Sequence, residues 1–249
     1  MALLAAAFAL TALLYALAGF GGGSTYTALL VLSEVDYRLL PSIALVCNIL
    51  VVANGARAFL AAGHIRLRTT LPLCLASAPA AWAGGRLSVS ETVFVPLLGA
   101  SLLVAGVLMF VDVTPEARQP AAERSYAAPV AVGGGVGFLS GLVGIGGGVF
   151  LAPFLHLVRW AGAQEIAGTA SVFILINSIA GLAGQLMKLG ALGELEAAAR
   201  FWPLPLAVVV GGAAGSFLGA RRLAPAAVKR VTGVLILLVA ARLLWRSVA

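Results

Sequence analysis

Uncharged stretches of membrane-spanning length recur along the whole sequence. Residues 1–33, 39–56, 69–85, 92–111, 125–158, 166–187 and 201–220 contain no Asp, Glu, Lys or Arg, and 231–245 contains only Arg242. A helix needs about 20 predominantly apolar residues to cross a hydrocarbon core of about 30 Å, and most of these runs are close to that length. With 61% of residues hydrophobic and 10% charged, too little polar surface remains to solvate a soluble domain. No run alternates apolar and polar residues as an outer-membrane barrel strand does. The expected fold is therefore an all-α, polytopic protein of the lipid bilayer.

The net charge of +7 comes from 16 Lys and Arg set singly or in pairs between the runs. That spacing suits topology signals and headgroup contacts, not a nucleic-acid interface. Cys47 and Cys74 sit in separate runs without CxxC or CxxH spacing, so neither a disulfide nor a metal site is expected. No HExxH, GxSxG or phosphate-binding Gly loop ahead of a Lys occurs, so neither an enzyme nor a cofactor is expected. Ala16-Leu17-Ala18 resembles a signal-cleavage site, but no basic residue precedes it and the segment has an internal counterpart, so it reads as mature structure.

That counterpart reveals a duplication. "GFGGGSTYTALLVL" (19–32) aligns with "GIGGGVFLAPFLHL" (144–157) at an offset of 125 residues. Further on, "SIALVCNILVVANG" (42–55) lies beside "SVFILINSIAGLAG" (171–184), pairing Ser42 with Ser171 and Asn48 with Asn177. Gly63 and Gly190 are expected to close this span in each copy, and "GGRL" (84–87) faces "GARRL" (219–223). The halves are residues 1–111 and 129–249, joined by an extramembrane linker at 112–128 that is rich in Pro, Ala and charge.

If each glycine-interrupted segment folds back as a helical hairpin, each half adds three transmembrane helices and the tandem, pseudo-symmetric repeats are inverted. That arrangement collects nine Lys and Arg on the linker's side, among them Arg66, Arg68, Arg118 and Arg124, against five on the other. A straight-through reading divides the same residues seven to seven. The positive-inside rule thus favours inverted repeats with a cytoplasmic linker and both termini extracytoplasmic.

Gly21, Gly22 and Gly23, and their equivalents Gly146, Gly147 and Gly148, each cost a helix about 1 kcal/mol relative to alanine, so the helix should stop there. Unwound backbone inside a bilayer must be covered by protein or line a cavity. A half-helix restarting near Ser24 or Val149 would present unpaired N–H groups and a positive dipole end, which together form an anion site. Ser24 and Thr25 could cap the first half-helix or bind the ligand. The competing reading of the glycines is close helix packing, which ordinarily needs small residues spaced along a face.

Asn48 and Asn177, mid-span in equivalent positions, either bond across the repeats or face the same cavity. Thr169 and Ser171 lie within two turns of Asn177 and join the candidate substrate-binding set, as do the six glycines, Ser24 and Thr25. Arg57 has two readings: snorkelling to the interface, which is favoured, or balancing the charge of a bound anion. His156, Gln185 and Lys188 are weaker candidates of the same kind.

At these residues the sequence resembles the TauE/SafE family of membrane transporters, described as sulfite or organosulfonate exporters. The motifs are "GFGGGSTYTALLVL", "GLVGIGGGVFLAPFLHL" (141–157) and "GTASVFILINSIAGLAG" (168–184), and the likeness covers essentially the whole chain. The second copy is the closer fit, with Pro153 five residues beyond its glycine triplet where the first copy has Ala28. The resemblance implies a secondary transporter of the inner (cytoplasmic) membrane that moves a small anion by alternating access. Sulfite or an organosulfonate is the leading substrate, with sulfate, thiosulfate or a carboxylate as alternatives, and a homodimer is the oligomer to consider. The rival from another class is a non-transporting intramembrane structural subunit.

Overall fold

The structure, a computed structural model, describes residues 1–18, 21–110, 127–218 and 225–248. Among these residues all regular structure is helical: α1 (Ala2–Ala18), α2 (Gly23–Leu32), α3 (Leu40–Ala61), α4 (Leu67–Arg86), α5 (Glu91–Leu108), α6 (Ala127–Val143), α7 (Gly148–Leu157), α8 (Ala163–Leu192), α9 (Leu195–Ala199), α10 (Pro203–Leu218) and α11 (Pro225–Val248). Among the described residues four segments are long and apolar enough to cross a membrane: Leu40–Ala61, Glu91–Leu108, Ala163–Leu192 and Leu195–Gly215. The duplication is visible in the helix bounds, because α6 and α7 begin and end 125 residues after α1 and α2. Most of the 112–128 linker lies outside the described residues, and its last two residues already belong to α6.

Helices α2 and α7 have ten residues each, or about 15 Å at 1.5 Å per residue, which is half a hydrocarbon core. Each follows a reversal of the chain. A methyl group at Gly22 would stand 2.9 Å from Thr11 Cγ2, and the Tyr26 ring stacks on Phe8 with centroids 4.8 Å apart. The chain has therefore come back alongside α1 by the time α2 begins. Gly147 likewise meets Val136, at 2.9 Å.

The halves are packed through exchanged partners. Helix α4 lies along α6, and α1 along α10, both in parallel: Gly137 and Gly141 face Ser77 and Ala81, while Gly211 and Gly215 face Ala9 and Leu13. The matching helices α3 and α8 run antiparallel, with Leu45 beside Gly181 and Asn48 beside Ser178. So do α5 and α11, where Gly99 meets Leu244 and Gly106 meets Leu237. Side chains stay small at the closest crossings: methyls at Gly84, Gly85, Gly141 and Gly184 would all strike backbone of a facing helix. Close backbone approach of this kind replaces the hydrophobic drive that lipid cannot supply between helices.

One expected boundary is corrected. Helix α8 runs through Gly190 to Leu192 and is closed by Gly193 at φ +72°, with the Gly193 and Glu194 N–H groups turned back onto the carbonyls of Gly190 and Leu189. A single glycine in a long apolar helix is too weak a stop; the left-handed residue that ends it is three positions later. In the first half Gly63, at φ +71°, does lie just beyond the end of α3.

Candidate functional site

Both helix breaks are enclosed by protein. Gly22 to Thr25 and Gly144 to Gly148 are buried, and Gly21 is half-buried. The two breaks also meet: a methyl at Gly23 would strike the Ile145 carbonyl oxygen. Between them lies Asn48 of α3, fully buried, since a methyl at Gly21 would overlap its Oδ1 and one at Gly146 its Nδ2. One asparagine thus touches both glycine loops.

The glycines are required for different reasons in the two copies. In the second, Gly144, Gly146 and Gly147 take φ of +81°, +86° and +79°, a left-handed conformation that costs other residues about 1–2 kcal/mol. In the first, Gly22 at φ −98° and the helical Gly23 have no such angle; Gly21, Gly22 and Gly23 are glycine because Asn48, Thr11 with the Tyr26 ring, and Ile145 occupy the space of a side chain.

Helices α2 and α7 start at Gly23 and Gly148, within one residue of the expected restarts, and no side chain caps either. Their first N–H groups lack intrahelical acceptors, so two positive helix ends are buried in one region. The expected capping by Ser24 or Thr25 does not occur, because the N-cap position falls on Gly22. Thr25 Oγ1 instead shares a hydrogen bond with Tyr15 OH at 3.0 Å, and Ser24 is buried beside it.

Asn48 and Asn177 separate in role. Asn48 Nδ2 donates to Ser178 Oγ at 3.0 Å across the two halves, leaving its Oδ1 without a partner. Asn177, next to Ser178, is fully buried, and neither of its amide atoms has a hydrogen-bond partner. A buried donor or acceptor left unmade costs about 1–3 kcal/mol, so an amide kept in that condition is suited to a ligand. Thr169 is buried and shares a 3.2 Å hydrogen bond with Thr70 of α4, while Ser171 donates back to the Ala167 carbonyl at 2.9 Å. Arg57 is exposed on α3 and is not brought to the glycine loops, as the snorkelling alternative requires.

Two residues gain roles that sequence reasoning did not give them. Tyr26, one turn into α2, is fully buried, lies against Gly22 and carries a hydroxyl without a partner. Its distance from the triplet was the available signal, since helical side chains slope toward the N-terminus. Gln185 Nε2 donates to the Gly141 and Leu142 carbonyls at 2.7 and 3.3 Å, satisfying the C-terminal end of α6 where it breaks.

Among the described residues every carboxylate lies at a helix end, on α9 or in a loop, and no group of three His, Cys, Asp or Glu could hold a metal ion. The central region therefore offers backbone N–H groups and neutral amides without competing negative charge.

Residues 3–243 match the family model described as "Sulfite exporter TauE/SafE". The chain is 34% identical over 247 residues to the "Probable membrane transporter protein y4hK" of Sinorhizobium fredii (strain NBRC 101917 / NGR234), with 97% of each chain covered. No solved structure matches.

Proposed function

Since this chain belongs to the TauE/SafE sulfite exporter family and is a multi-pass membrane transporter, we propose that it moves a small oxyanion across the cytoplasmic membrane, with sulfite or an organosulfonate as substrate. The observation that carries this reading is the pair of buried, uncapped half-helix starts brought together around Asn48, with the unpaired Asn177 amide one residue from Asn48's partner. Positive helix ends and N–H groups recognise negative oxygen, and glycines let it approach the backbone. Asn177 Nδ2 supplies a side-chain donor, and its Oδ1 can accept from a protonated oxygen such as that of bisulfite.

The halves act as inverted repeats. The antiparallel crossings of α3 with α8 and of α5 with α11, and the fold-back of α1 onto α2, support that relation. Inverted repeats place a substrate site at their interface near the midplane and expose it alternately by rocking. Both termini are then extracytoplasmic. An inside-negative potential favours anion export by about 2.3 kcal/mol per charge per 100 mV.

Purified protein in proteoliposomes tests the reading. Radiolabelled sulfite or an organosulfonate should move saturably, and the same compounds should raise the thermal stability of the detergent-solubilised protein. Absence of both effects would return the chain to a structural role.

A further inference from the structure

Beyond the glycine loops, one surface of the molecule carries a cation-lined cleft. Two cavities adjoin at the end of the molecule formed by the α2–α3 and α4–α5 loops, sharing Tyr37, Arg38 and Phe94. The larger, about 600 Å³, is balanced in charge: Arg38, Arg242 and Arg246 face Glu34, Asp36 and Glu91. The smaller, about 320 Å³, is lined by Arg38 and Lys188 with Ser88 and Ser90, and among the described residues by no carboxylate. Since a water occupies about 30 Å³, it can take a sulfite-sized anion together with several waters.

Leu142, at the tip of the second broken hairpin, also lines this smaller cavity. Beneath Lys188 on α8, Gln185 grips the Gly141 and Leu142 carbonyls; a turn further, Gly181 lies on Gly141; and Ser178 bonds Asn48. The positions 188, 185, 181 and 178 follow the 3–4 spacing of a single helix face. Ten residues of helix take this face about 15 Å inward, from the cavity mouth to the central asparagines. Lys188 is partly buried and Arg38 exposed; the Arg38 guanidinium pairs with Glu194 at 3.5 Å, and Asp36 Oδ1 accepts from the Arg38 backbone N–H at 2.9 Å. An ion pair so exposed is weak, so an arriving anion can replace Glu194.

From this geometry we infer that the Arg38–Lys188 cleft is an outer, extracytoplasmic anion-binding vestibule, which receives the exported oxyanion as it passes the hairpin tip at Leu142 from the central site. The inference rests on the transporter reading for its substrate, but not for the existence of the cleft's anion preference. Lys188 and Arg38 act there by charge: they hold the anion at the outer mouth, while the loops bind it at the centre.

Two measurements test it. With Cys47 and Cys74 both buried, Ser88→Cys provides a single reactive thiol in the cleft. Its labelling by an anionic methanethiosulfonate reagent should exceed that by the cationic analogue by about tenfold at low salt, an advantage reduced by screening. The advantage should vanish in the Arg38→Gln/Lys188→Gln background. In proteoliposomes those two substitutions should raise the KM for sulfite supplied from the extracytoplasmic face by about tenfold while the maximal rate stays within about twofold. A labelling ratio unmoved by the double substitution, or an unchanged KM, would overturn the vestibule. Wild-type protein that transports nothing, but whose Ser88→Cys variant has the charge-dependent ratio, would leave the vestibule standing and remove the transporter reading.

Discussion

Asn177 is the residue whose removal separates function from stability most cleanly. Its amide is buried without partners, so Asn177→Leu relieves an unmet polar group, and the thermal midpoint in detergent should hold or rise. Transport should nevertheless fall by at least about tenfold, the worth of one hydrogen bond to a charged ligand. Asn48→Leu should lose both, because it breaks the bond to Ser178 between the halves. A second contrast tests the loop backbone. Gly146→Ala combines a left-handed φ with overlap on Asn48, whereas Gly63→Ala has the same sign of φ and open space around it. The Gly63 variant should pay only about 1–2 kcal/mol of backbone strain and keep transport. The Gly146 variant should lose stability and flux together. From sequence the two asparagines looked equivalent; what divides them is the rotation of α8 that puts Ser178, and not Asn177, against Asn48. Arg57 and Ser24 show the same limit, since side-chain direction and cap position depend on where a helix starts and which way it faces.

At the level of elements, the helix breaks were legible to within one residue because glycine runs act locally through backbone energetics. The close crossings of α4, α6 and α8 were not, since Gly84, Gly85, Gly141 and Gly184 gain meaning only from partners far along the chain. The extension of α8 past Gly190 and the short α9 were missed because a lone glycine and five residues carry little local signal. Gly141 has a packing role distinct from the loop glycines, as a methyl there would meet the Ala81 carbonyl. Gly141→Ala should therefore lower the thermal midpoint, and ligand should still stabilise whatever fraction folds; thermal shift with and without sulfite reads both. Gln185→Leu should loosen the α6 tip, seen as faster amide exchange at residues 141–145 with the remaining helices unchanged.

For the whole molecule, topology distinguishes the repeat arrangements. Ser33 and Gly162 stand in equivalent connections, between α2 and α3 and between α7 and α8, and both are exposed. Inverted repeats put them on opposite sides of the membrane; parallel repeats put them on the same side. In intact cells an impermeant thiol reagent should label Ser33→Cys and spare Gly162→Cys, with the buried Cys47 and Cys74 silent. Duplication and charge bias carried this reading in the sequence, because both survive averaging over many residues. How the halves interlock, α4 lying along α6 and α10 along α1, needed the three-dimensional arrangement. The central claim is that the two glycine loops and the two asparagines form one anion site, and a density map of the protein with bound sulfite tests it most directly. The expected result is ligand density between Gly21–Gly23 and Gly146–Gly148, within hydrogen-bond reach of Asn177. Density elsewhere in the protein, with none between those loops, would contradict it.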